Sequence, residues 1–327
     1  MPSPMNEDAA TLVPDARRML QLALATLWLL DGVLQLQSLM FTSGVNGFSG
    51  MLHSAALGNP GPVARSIEWS STLVGHHAQV ANAGFALLQI SLGMGIAWRP
   101  TLRVALGASI AWSIVVWWFG EGLGGILRGH AAPLGGGPGA VLFYALLAIL
   151  LWPRAQRGTR ASTVAAQAIG SPAARVVWAG VWLALATLSV LGASRSPGQA
   201  SSLLRTLEPG EPGWLSSLDR QLASGLSGRG TVVAVVLCAV FCAIAIGGLL
   251  ETGSQQVAIL AAVVTALVIW VVGQNFGRTL ETGATDPNSG PLLVLFSLAY
   301  WPQRRAVHRA PRRATGEARR GMAPGVA

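Results

Sequence analysis

Apolar positions in this chain come in long blocks, separated by short polar or glycine-rich breaks. The blocks fall at about 19–41, 77–98, 102–122, 138–152, 175–194, 231–250, 256–274 and 290–302. A run of about 20 predominantly apolar residues crosses a bilayer as an α-helix, so the pattern predicts an all-α membrane protein with eight transmembrane helices. The last block is short, and would cross only part of a bilayer roughly 30 Å thick unless the chain around Asn288 is also helical and buried in protein. The break at 42–76 carries Asn59-Pro60-Gly61-Pro62 and an amphipathic piece near Val63–Leu73, with Trp69 placed for an interface.

The blocks repeat. Trp117 to Phe143 and Trp270 to Phe296 are related by a shift of 153 positions, under which Trp, Gly, Leu, Ala, Pro, Val and Phe coincide at several places. Each copy leaves an apolar run, passes through a polar glycine-rich turn and enters the next run at Gly-Pro. The predicted architecture is therefore two four-helix repeats, at 19–153 and 175–302, joined by a basic linker at 154–174. A loose N-terminal segment at 1–18 and a basic tail at 303–327 flank them. With an even number of spans per unit, the copies are parallel repeats related by an axis along the membrane normal.

Composition agrees. Of 327 residues 52% are hydrophobic and only 11% charged, where soluble domains carry about 25% charge. The net charge of +9 comes entirely from arginine, placed in short loops and in the tail, which argues for membrane topology and against nucleic-acid binding. Putting both termini in the cytoplasm leaves fifteen arginines inside and seven outside. The expected location is the cell membrane, with the glycine-rich turns and long loops facing outward and the tail on anionic headgroups. The first apolar run has no small-residue cleavage site and reads as a retained span.

Polar residues inside the apolar runs are unevenly shared between the halves. Asp31, Gln35 and Ser38 form one helical stripe, and their counterparts are Ala184, Leu188 and Leu191. Gln79, Asn82 and Gln89 form another, matched by Val232, Val235 and Cys242, and Glu121 matches Gln274. The polar centre thus falls in the first half, with the second as scaffold. At about 1.5 Å per residue, Asp31 and Gln89 both reach roughly the middle of the bilayer. A carboxylate exposed to lipid there is costly, so Asp31 must face the bundle, paired or protonated. The candidate ligand-binding residues are Asp31, Gln35, Asn82, Gln89, Glu121 and Gln274; the competing role for each is an inter-helix hydrogen bond.

Other motifs contribute less. His76 and His130 are secondary metal candidates, since imidazole binds copper and zinc, but no ligand spacing is met. Gly120, Gly122 and Gly125 match GxGxxG without the strand–turn–helix context of a dinucleotide site. Thr285 to Gly290 reads as a turn that caps the last helix. Cys238 and Cys242 make neither a disulfide framework nor a CxxC pair.

The layout of first span, long partly amphipathic segment and three closely spaced spans, with GEGLGG and GPG before the last, resembles the DoxX-like four-helix integral membrane proteins, here as a tandem duplication. That resemblance implies a link to quinone-dependent oxidation of sulfur compounds, or to membrane redox and detoxification complexes. Three functions stay open on the residues alone. One is an accessory or scaffold subunit holding a quinone or other small lipophilic molecule in the polar pocket, beside a membrane redox partner. The others are a transporter of a small solute or metal ion, and a quinone-linked membrane oxidoreductase.

Overall fold

The computed structural model describes residues 15–44, 47–154, 163–207, 212–279, 281 and 283–303. Residues 1–14 of the N-terminal segment, 155–162 of the linker and all but the first residue of the arginine tail lie outside these. Every regular element among the described residues is helical. The first half contains α1 (Ala16–Leu34), α2 (Phe48–Ala56), α3 (Gly61–His76), α4 (Ala78–Ala97), α5 (Leu102–Phe119) and α6 (Ala140–Leu150). After α7 (Val164–Ile169), the second half contains α8 (Ser171–Val190), α9 (Gln199–Leu207), α10 (Gly213–Gly225), α11 (Gly230–Gly247), α12 (Thr252–Val268) and α13 (Ser289–Leu298).

Five stretches are long and apolar enough to cross a membrane: α4, Arg99–Phe119, α8, α11 and Gly253–Gly273, in the last of which a π-helical turn extends α12. Together they point to a multi-pass integral membrane protein. Only 28% to 33% of each is buried in protein, so these helices form the periphery and present apolar faces outward. The chain at α1 spans 19 residues but carries Arg17, Arg18 and Asp31 and does not reach the same apolarity. Its helix ends at Leu34 instead of running on to residue 41, which puts Asp31 in its last turn.

Two further expectations are corrected here. The fourth and eighth runs form helices of only 11 and 10 residues, α6 and α13, roughly 15 to 16 Å long at 1.5 Å per residue. These short helices occupy the centre, packed against each other, with α13 also against α1 and Tyr144 of α6 against Trp28 of α1. Phe143, Tyr144, Leu147, Leu292 and Phe296 are all buried. Each is preceded by a glycine-rich turn in which protein groups meet backbone carbonyls, as Trp117 and Trp270 do for Pro138 and Pro287, the way irregular backbone is tolerated near lipid. The break before α11, expected as a loop, carries α9 and α10, and the break after α1 carries α2 as well as the expected amphipathic helix α3.

One end of the bundle, the arginine end, carries a groove lined by Arg17, Arg18, Arg99 and Arg103. Arg18 donates to the Ile96 and Ala97 carbonyls that end α4. Gln21 donates to the Leu151 carbonyl beyond α6 at 2.9 Å. Gln167 of α7 accepts from Arg17 and donates to Gln303. The glycine-rich turns sit at the opposite end. Helix pairings run in parallel through the chain: α1 with α4 and α8 with α11, α2 with α3 and α9 with α10, α5 with α6 and α12 with α13.

Candidate functional site

The two glycine-rich turns are built by the same contacts. Trp117 Nε1 donates to the Pro138 carbonyl and Trp270 Nε1 to the Pro287 carbonyl, both at 2.8 Å. Glu121 Oε1 accepts from the Val141 backbone N at 3.3 Å, at the start of α6. Gln274 Oε1 accepts from the Gly290 backbone N at 3.1 Å, at the start of α13, and its amide donates to Ser289 Oγ at 2.9 Å. An acceptor placed four residues after the tryptophan thus meets an otherwise unpaired N–H at a helix N-terminus.

Each turn also reaches across to the other half. Thr285 and Asp286, from the second turn, enclose a cavity of about 190 Å³ otherwise lined by the first half. Ala132, Pro133 and Leu134, from the first turn, cover the corresponding place between α8, α9 and α11. That space closes to about 20 Å³, room for roughly one water. Ser189 of α8 lines it, whereas Ala184 and Leu188, the counterparts expected for Asp31 and Gln35, do not, and Ala184 is exposed.

The larger cavity brings together four of the six predicted ligand-binding residues: Asp31, Gln35, Gln89 and Glu121. Aromatic side chains wall it, among them Trp28, Phe48, Phe85, Trp112 and Phe119. Asp31 is 2% exposed. Its Oδ1, together with Gln89 Oε1, Glu121 Oε2 and Trp112 Nε1, is buried without a hydrogen-bond partner. The Tyr144 hydroxyl lies close to the Asp31 carboxyl but forms no well-made hydrogen bond to it. Leaving one buried polar atom unmet costs about 1–3 kcal/mol, so four around one space mark a site built for something else to fill.

The other two predicted residues do different work. Gln35 Nε2 donates to Asn82 Oδ1 at 2.6 Å, and Asn82 Nδ2 donates to the Gln35 carbonyl at 2.9 Å. This reciprocal pair ties α1 to α4, so Asn82 is a strut, and Gln35 both binds it and lines the cavity. Gln274 is held by the start of α13 and lies outside the cavity. Of the remaining stripe positions, Ser38 and Gln79 are exposed.

Asp286 was missed as a site residue, because its sequence context reads only as a turn. It is a turn residue too: Oδ1 accepts from the Asn288 backbone N at 2.7 Å and Oδ2 from Thr285 Oγ1 at 2.8 Å. Burial nevertheless pushes its carboxyl above the usual range, against those two hydrogen bonds. Asp286, Thr285 and Met51 also line a second, open groove of about 1110 Å³ at the turn end, so they form the wall between groove and cavity. The scaffold role expected of the second half is thereby corrected, since it supplies one of the three carboxylates. His76 and His53 line that groove and His130 does not. Among the described residues no group of three or more His, Cys, Asp or Glu side chains could hold a metal ion. Cys238 and Cys242 are free thiols.

Comparison with family models, curated proteins and solved structures finds no match to this chain.

Proposed function

We propose that this is an accessory membrane subunit whose first half holds the headgroup of a small lipophilic molecule, a quinol or quinone, between α1, α4 and α5. One observation carries the proposal: Asp31 Oδ1, Gln89 Oε1, Glu121 Oε2 and Trp112 Nε1 are buried and unpartnered around a single aromatic-walled cavity. The hydroxyls of a quinol donate to carboxylate acceptors, the indole N–H donates to a ring oxygen, and the aromatic walls stack on the ring. A volume of about 190 Å³ suits one ring rather than a whole lipid. Val115, exposed on α5, and Ser70, half-buried on α3, also line the cavity, which favours entry from the bilayer side.

The same proposal takes the chain as a tandem copy of a DoxX-like unit with eight membrane-embedded segments, both termini and the arginine end being cytoplasmic. The matched turns and helix pairings support the duplication, and the sequence-wide split of fifteen arginines against seven supports the orientation.

The test is quenching of tryptophan fluorescence by a short-chain quinone, with the full chain in nanodiscs. Saturable quenching that weakens about tenfold in each of Asp31→Asn and Glu121→Gln is expected, the loss of one charge-assisted hydrogen bond being worth about 1.5–3 kcal/mol. Quenching that is linear in quinone and unchanged in both variants would sink the proposal.

A second function, transport of a small solute, is favoured by the wall of Met51, Thr285 and Asp286 that separates the cavity from the open groove. Proteoliposome uptake that disappears in Asp31→Asn would establish it in place of the first.

A further inference from the structure

At the arginine end, away from the cavity, a groove of about 490 Å³ is lined by Arg17, Arg18, Arg99 and Arg103, with Asp15 the one acidic side chain among its described walls. Asp15 is already engaged, because its Oδ1 accepts from the Arg17 backbone N at 3.1 Å as the cap of α1. The arginines are held in different ways. Arg18 is fixed on the carbonyls that end α4, and Arg103 Nη2 reaches the Pro153 carbonyl at 3.5 Å. Arg17 is only 9% exposed; its Nη2 donates to Gln167 Oε1 at 2.9 Å, while its buried Nε has no partner.

Asp15 is the described carboxylate that acts on this guanidinium, and its Oδ1 is taken by the cap of α1. A buried guanidinium that still has one donor unmet is costly unless a further anion completes the site. The first turns of α1 and α5 lie along the same groove, and helix N-termini favour negative charge. The height of the groove in the bundle narrows the choice of anion. Trp98 is 63% exposed at the end of α4, and Trp152 and Trp301 end the segments of α6 and α13 at that side. Tryptophans in such a ring mark the level of lipid headgroups.

We infer that this groove binds the phosphate of an anionic phospholipid headgroup. Arg17 closes its inner wall, and the exposed Arg99 and Arg103 form its mouth. The guanidinium fork matches phosphate oxygens in pairs, which an ammonium cannot do, and basic pockets between membrane helices take lipid headgroups in this manner. The site is separate from any function of the Asp31 cavity.

The experiment is a thermal-shift and native-mass titration of the full chain in uncharged detergent. Ligands are short-chain phosphatidylglycerol, phosphatidylcholine, glycerol phosphate and inorganic phosphate. Phosphatidylglycerol should bind and raise the melting temperature, phosphatidylcholine should not, and R99Q/R103Q should weaken the phosphatidylglycerol response roughly tenfold or more. Both arginines in that variant are exposed, so loss of fold is not expected; R17Q serves as a second variant and should weaken binding in the same direction. Equal responses to the two lipids, or an unchanged affinity in R99Q/R103Q, would overturn the site. Saturation by glycerol phosphate or phosphate with the same arginine dependence would keep the phosphate site and overturn lipid as its source.

Discussion

Asp31, in the last turn of α1, and Asp286, in the turn that precedes α13, line the same cavity from opposite halves of the chain. Neither has an arginine or lysine beside it among the cavity walls. The site therefore offers hydrogen-bond acceptors without a cation to satisfy them, and that shortage shapes what the protein gains and loses on mutation.

Replacing Asp31 by leucine should stabilise the ligand-free protein while removing ligand binding. The side chain is 2% exposed with an unmet oxygen, and an apolar replacement of similar volume removes a desolvation cost of about 1–3 kcal/mol. Thermal unfolding in detergent reads the gain. A melting temperature below wild type would show that the carboxyl is satisfied in the native state after all.

The Gln35–Asn82 pair should behave in the opposite way. Gln35→Leu leaves Asn82 Oδ1 unpaired, although Asn82 Nδ2 keeps the backbone carbonyl of residue 35, and should cost about 1–3 kcal/mol. Because the two side chains share the Nε2–Oδ1 hydrogen bond, the double variant Q35L/N82L should cost less than the sum of the singles. A double-mutant cycle with no coupling would deny that they act as one link between α1 and α4.

Gly124 and Gly277 hold positive φ angles of 58° and 70°. A Cβ on either would overlap the backbone of the proline that ends its own turn, Pro138 or Pro287. Gly124→Ala and Gly277→Ala should each destabilise by more than about 3 kcal/mol, well above the cost of left-handed backbone alone. Gly180, in the middle of α8 with nothing within 4 Å of a Cβ, should accept alanine with a gain of up to about 1 kcal/mol. Similar melting temperatures for all three would remove the basis for the turn geometry.

Stability should fall as pH rises above the ordinary aspartate range, and Asp286→Asn should blunt that fall. Burial raises the Asp286 carboxyl in the folded protein, so between its unfolded pKa, about 3.9, and its higher folded value the native state holds the extra proton. The stability this contributes is complete below the lower value and is lost as pH climbs to the upper one. Melting temperatures from pH 4 upward, compared between wild type and Asp286→Asn, test the sign.

Much of this was legible in the sequence, and the gaps have physical causes. Periodic apolar runs revealed the helices, and the polar stripe of Asp31 and Gln35 pointed to the first half, although its expected counterparts Ala184 and Leu188 do not line the matching space in the second. Hydropathy counts composition and not backbone geometry, so it could not show that α6 and α13 stop after 10 or 11 residues and are buried at the centre. Nor could it separate a polar residue that lines a space from one that ties two helices. Gln89 and Asn82 looked alike, and only the partner of each side chain distinguishes them. Asp286 escaped because its local hydrogen bonds explain it fully as a turn residue; what it faces is decided by contacts with the distant half of the chain.

The exchange of turns makes the two halves interdependent. Each chamber takes its roof from the opposite half, so neither half could keep a closed interior if it were parted from the other. A chain nicked in the linker would hold its acid-lined chamber shut only for as long as both fragments stayed clasped.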